Sequence, residues 1–120
     1  MPFLEERGLD DVDVGELEGD TIDAYHAWKD AHTRADRFPG GESLDETARR
    51  YVAALRRLLA LPHDSILVVC HELPIRYLLN GAVGSDDLDH PFHAIPNATP
   101  YLFDAPQLAE AVDRIELIVV

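Results

Sequence analysis

His71 and Glu72 stand directly after the apolar run Ile66-Leu67-Val68-Val69-Cys70. An imidazole beside a carboxylate can hold or move a proton near neutral pH, or hydrogen-bond an anion. The run before them has strand length and is rich in β-branched residues, the pattern of a buried strand in a parallel sheet. After them the pattern changes to Ile75, Leu78 and Leu79, a helical spacing. Pro74 suits the first turn of that helix, and Gly81 reads as its closing glycine. His71 and Glu72 therefore fall where a strand hands over to a helix N-terminus, a place that favours anionic ligands. Cys70 next to His71 does not suggest a cysteine hydrolase, because neighbours on a strand point to opposite faces.

The elements around this junction follow from the same reading. Gly15 and Gly19 bracket a turn, and Asp20 or Thr21 can cap a helix with Ile22, Tyr25, Trp28 and Ala31 on one face. His26 and His32 lie six apart beside that stripe, so they do not form the i, i+4 pair that a helical metal site prefers. Phe38-Pro39-Gly40-Gly41 is a loop, and Ser43 with Glu46 makes the S-x-x-E capping box of a second helix. Its stripe is Leu44, Ala48, Tyr51, Val52, Leu55, Leu58 and Leu59, with Arg49, Arg50, Arg56 and Arg57 mostly off it as a solvated face. Residues 85–93 form a polar loop of three aspartates and two histidines whose spacing matches no closed metal set, so no metal is expected. Residues 95–103 read as a turn into a strand interrupted by Pro100. A short helical patch spans 107–112, and 114–120 reads as a final strand. Helix, turn, strand, helix is an α/β rhythm, which predicts a mainly parallel sheet flanked by helices.

Composition narrows the function. The chain has 120 residues and a net charge of −13, with Lys29 its only lysine. That length suits a single domain, and that acidity argues against nucleic acid and anionic membranes as partners. One cysteine excludes an intrachain disulfide and points to a reducing, cytoplasmic setting. The first residues lack a basic start and an apolar segment, so no secretory leader is expected, and no apolar stretch approaches membrane-spanning length.

Four segments, taken together, resemble the histidine phosphatase superfamily in its phosphoglycerate mutase-like branch. They are Leu9 to Gly19, Pro39 to Leu44, Val68 to Arg76, and Ile95 to Ala98. The resemblance covers nearly the whole chain but only the later part of the family's domain. It implies phosphoryl transfer through a phosphohistidine, on a small phosphorylated substrate and without a cofactor. By this resemblance His71 matches the second active-site histidine, which stabilises the phosphoryl group rather than attacking it. Asp11 falls where the family usually has a glutamate that donates a proton to the leaving group. Glu42 and Ser43 match a loop bordering the pocket, and Asn97 matches its rim.

The departures shape what is expected of this chain. The family's nucleophile lies in an Arg-His-Gly motif, and this sequence contains no Arg-His dipeptide. Glu72-Leu73 stands where members often carry Gly-Gly, so Glu72 brings negative charge to the pocket and selects among substrates there. Nothing resembles the extra loop with which mutases hold a second phosphate, so phosphomonoester hydrolysis is expected over mutase activity. The α/β domain would be incomplete at its amino-terminal side, leaving an apolar sheet edge that makes the chain poorly stable alone or pairs with another chain, a route to homo-oligomers. The alternative to an enzyme is a catalytically dead remnant that binds phosphorylated ligands or a partner.

Overall fold

The capping box at Ser43 starts the longest helix. Ser43 Oγ accepts the Glu46 N–H at 3.0 Å, and Glu46 Oε1 accepts the Ser43 N–H at 3.0 Å. This reciprocal pair satisfies two donors that a helix start otherwise leaves unpaired. In the computed structural model, which describes residues 3–90 and 95–119, the helix runs Leu44–Leu59 (α2). It is preceded by α1, Ile22–Ala31, and followed by α3, Glu72–Ala82, and α4, Ala105–Val119. Two 3-10 turns, Arg7–Leu9 and Gly15–Leu17, precede α1.

The expected parallel sheet is not there. Among the described residues the only β pairing is an isolated bridge between Arg37 and Ser43. The Ile66–Cys70 run has no regular secondary structure, and among the described residues no second segment pairs with it in a ladder. Its exposure alternates instead: Ile66 and Val68 are 43% and 42% exposed, Leu67 and Val69 88% and 90%. The period of two is right, yet the run is not a buried strand, and the sheet edge expected to recruit another chain has no sheet behind it. Residues 95–103 likewise form no strand; they hold a turn and irregular backbone.

The final strand is also replaced, by the second half of α4. Asp104 and Gln107 form a capping box at its start: Asp104 Oδ1 accepts the Gln107 N–H at 2.8 Å, and Gln107 Oε1 accepts the Asp104 N–H at 2.9 Å. From there Ala111, Val112, Ile115 and Val119 are all buried, at spacings of one, three and four residues. One helical face thus continues through the β-branched end of the segment, and burial of that face overrides local strand propensity.

The residues divide into two compact units, Val12–Thr47 and the remainder, with the division falling inside α2. In the larger unit, one core gathers Leu9, the α2 residues Ala48 to Leu58, Tyr77 and Leu78 of α3, Leu88, and the apolar face of α4. Gly81 does not close α3 as expected. The closing glycine is Gly84 (φ +73°), and the Gly84 and Ser85 N–H groups donate to the carbonyls of Gly81 and Asn80 at 3.1 and 3.0 Å. That is a Schellman closure three residues further on.

In the smaller unit Phe38 is buried and stacks on two α1 rings, Tyr25 at 5.6 Å and Trp28 at 4.1 Å between centroids. Thr21 is the α1 cap, its Oγ1 accepting the Ala24 N–H at 3.1 Å. The 39–41 loop is tied to the turn at Gly15 by the Glu16 N–H, which donates to the Pro39 carbonyl at 2.7 Å.

Candidate active site

His71 is the N-cap residue of α3, at the helix start the sequence predicts, though no strand precedes it. Its backbone is extended (φ −108°, ψ 174°), and its side chain makes no capping bond. The residue is exposed. An N-cap whose ring is not spent on its own helix presents a donor beside the free N–H groups of the first turn. Pro74, buried in that turn, supplies no N–H where none is needed. The thiol of Cys70 is pushed up from its ordinary value by burial, partly offset by the His71 backbone N–H that it accepts. A cysteine held protonated in this way is a poor nucleophile.

Glu72 does not stand alone. Arg76 Nη2 donates to Glu72 Oε1 at 2.7 Å, four residues along the exposed start of α3. Arg76 was not among the candidates read from the sequence, although its i, i+4 spacing from Glu72 is the signal that could have found it. The pair tempers the negative charge that Glu72 alone would bring beside His71.

Asp11 is exposed at the end of the amino-terminal segment of the same unit. Its carbonyl accepts Arg50 Nη2 at 3.1 Å. The basic residues of α2 are therefore not a merely solvated face. Arg49 donates to the Val119 carbonyl, Arg56 pairs with Asp113 and Glu116, and Arg57 holds Glu6 through Nε and Nη2 at 3.0 and 2.8 Å. Gly8 must lack a side chain here, since a Cβ would come within 2.7 Å of the Ala54 Cβ.

The Arg57 hydrogen bonds, with the Gly8 N–H, draw the Glu6 carboxyl down from 4.5 to about 2. A depressed carboxylate stabilises the fold above its unfolded value, and the contribution disappears as pH falls through the folded one. Glu6→Gln is accordingly expected to lower the denaturation midpoint at pH 7. The gap to the parent should narrow below about pH 4.5 and close near pH 2, which denaturant titrations at several pH values would show.

Glu42 and Ser43 belong to the smaller unit. Glu42 Oε1 accepts the Asp13 N–H at 3.0 Å, and the Glu42 N–H donates to the Asp13 carbonyl at 2.9 Å. Ser43 is buried, with its oxygen occupied as the α2 cap. Asn97 is exposed in a turn whose next residue, Ala98, has the left-handed φ of +56°. Of the six candidates, the structure brings His71 and Glu72 together as neighbours and puts Asp11 and Asn97 in the same unit as both.

No group of three metal-ligating side chains occurs among the described residues. In the 85–93 loop, Asp89 and His90 serve architecture: Tyr77 Oη donates to Asp89 Oδ1 at 3.2 Å, and Asn80 Nδ2 donates to the carbonyls of Leu88 and His90 at 2.5 and 3.1 Å. His93 lies outside the described residues. No helix among them is long and apolar enough to cross a membrane.

The sequence profile of the histidine phosphatase superfamily (branch 1) matches residues 1–114, and the chain belongs to that family. Among curated proteins it is similar to a 2,3-bisphosphoglycerate-dependent phosphoglycerate mutase of Methylobacterium radiotolerans. The two are 35% identical over 86% of this chain and 53% of the relative. A protein of the same description from Gloeothece citriformis is 26% identical over 98% of this chain and 54% of its own length. The chain thus spans about half the length of the curated relatives it matches. No solved structure matches it.

Proposed function

We propose that this chain carries the non-attacking side of a phosphoryl-transfer site that acts on a small phosphomonoester through a phosphohistidine, with hydrolysis as the outcome. The observation that carries the reading is His71, an exposed imidazole at the N-cap of α3, in a chain of the histidine phosphatase superfamily. In that position it would hydrogen-bond the phosphoryl oxygens as their charge spreads, while Asp11 would give its proton to the leaving oxygen. The attacking histidine is assigned to no residue here, since the sequence holds no Arg-His dipeptide. That same observation favours a second reading, a phospholigand-binding module without turnover.

Inorganic phosphate binding tests the first requirement. His71→Ala is expected to weaken it about ten- to hundredfold, the range for losing a hydrogen bond to a charged group; equal affinity in parent and variant would sink both readings. Hydrolysis of an aryl phosphate, with a phosphoglycerate assayed beside it, tests the rest. The parent chain should turn over neither. Turnover that vanishes in His71→Ala would mean the attacking group lies within this chain, and phosphoglycerate isomerised rather than hydrolysed would replace hydrolysis with mutase chemistry.

A further inference from the structure

We propose that Arg50 is a positioning residue for Asp11: its guanidinium gathers the backbone carbonyls of Arg7, Gly8, Asp10 and Asp11 and so fixes the point from which the Asp11 carboxyl is presented. The proposal rests on the reading of Asp11 as the proton donor.

The segment has local hydrogen bonds of its own. It contains one 3-10 turn, with the Leu9 N–H donating to the Glu6 carbonyl at 3.2 Å and the Asp10 N–H to the Arg7 carbonyl at 3.0 Å. Leu9 is buried in the core, but the chain leaves that anchor at once: Asp10, which ends the turn, has φ −60° and ψ 154°, and both aspartates are exposed. Across this stretch, Arg50 Nη1 donates to the carbonyls of Asp10 at 2.9 Å and Gly8 at 3.0 Å, with Arg7 at 3.5 Å. Its Nη2 donates to the Asp11 carbonyl at 3.1 Å. Four carbonyls out of five consecutive residues turn toward one cation, which forces the backbone to curl around it.

A planar fork with five N–H donors can serve several acceptors at once, whereas an ammonium is a compact point charge that cannot span them. The fork itself is well founded. Arg50 adjoins the fully buried Tyr51, and its guanidinium carbon lies 5.3 Å from that ring's centroid. Arg57, seven residues on and hence on the same face of α2, pins Glu6 just upstream. The two arginines together lay residues 6–11 along the helix, and Arg50 alone reaches the aspartate.

Arg50→Lys keeps the charge and removes the fork. In the NMR spectrum of the chain, amide exchange at Leu9 and Asp10 is expected to accelerate about ten- to hundredfold. The Asp11 carboxyl-carbon signal should move with it, while exchange at Val112 and Ile115 in α4 and the carboxyl signals of Asp23 and Asp30 in α1 stay as in the parent. Unchanged exchange at Leu9 and Asp10, or an unmoved Asp11 signal, would overturn the proposal. So would equal acceleration through α4 or a variant that does not fold, since Arg50 would then serve general stability. Inorganic phosphate added to the parent tests the underlying reading separately: signals from both His71 and Asp11 should respond. A silent Asp11 sinks its role as donor, and the exchange data still decide whether Arg50 sets its place.

Discussion

Gly81→Val is expected to unfold the larger unit or leave it barely stable, although the substitution lies in a helix that tolerates side chains elsewhere. A Cβ at Gly81 would sit 2.8 Å from the Ala111 carbonyl oxygen and 3.3 Å from Ile115 Cγ1 on α4. Replacing glycine with alanine inside a helix ordinarily gains about 1 kcal/mol. Here the opposing atom is backbone and cannot rotate away, so α3 and α4 must separate. Overpacking of a close crossing costs about 1–3 kcal/mol, occasionally more. For Gly81→Ala the loss should therefore exceed the gain and leave a net destabilisation. Valine adds two methyl groups at the same point and is stiff at χ1, which raises the cost against a total of about 5–15 kcal/mol for a domain. Denaturant titrations of both variants check the order, with valine far worse than alanine; an alanine variant more stable than the parent would show that the crossing yields easily.

Truncation of Tyr77 should be comparably severe. Its ring is fully buried on α3, edge-on to Tyr51 with centroids 5.9 Å apart, and its hydroxyl reaches Asp89. Removing a buried aromatic leaves a cavity that its neighbours fill only in part, costing about 3–5 kcal/mol. Tyr77→Phe keeps the ring and loses only the hydroxyl bond, about 1 kcal/mol. The difference between the two variants in a denaturant titration separates packing from hydrogen bonding, and a similar loss in both would place the weight on the Asp89 contact.

Local signals were legible where they were self-contained. The Ser43–Glu46 box, an α1 cap at Asp20 or Thr21 and a helix start at His71 and Glu72 needed only short-range rules; the structure has the box, caps α1 with Thr21 and begins α3 at Glu72. Signals that depend on a distant partner were not. The Ile66–Cys70 run has strand chemistry, but a sheet needs a second strand, and none lies beside it among the described residues. The end of α4 misled because Ile115 to Val119 alternates and is β-branched; the Asp104–Gln107 box, D-x-x-Q, marks only where the helix starts. Arg50 and Arg57 fall off the apolar stripe of α2 and so look solvated, since nothing local announces the distant carbonyls that Arg50 binds or the distant Glu6 carboxylate that Arg57 binds. For the site, the change from apolar run to helical spacing pointed to His71 before the family resemblance did, and the capping box already placed Ser43, whereas the pairing of Glu72 with Arg76 emerges from a hydrogen bond. Gly81 shows how one residue type serves two ends: read as a terminus, it is a point of helix contact.

Leu67 and Val69 also bear on how the chain behaves in solution. Two large apolar side chains about nine-tenths exposed are kept apart between molecules by a net charge of −13 rather than by burial. That repulsion is long-ranged only in dilute electrolyte, fading over about 10 Å at 0.1 M salt, and it vanishes near the isoelectric point of about 4.6. Acidification therefore removes colloidal protection while the Glu6–Arg57 pair, with its carboxyl titrating near 2, is still intact. Turbidity is expected to rise toward the isoelectric point, where the Glu6–Arg57 pair is still formed.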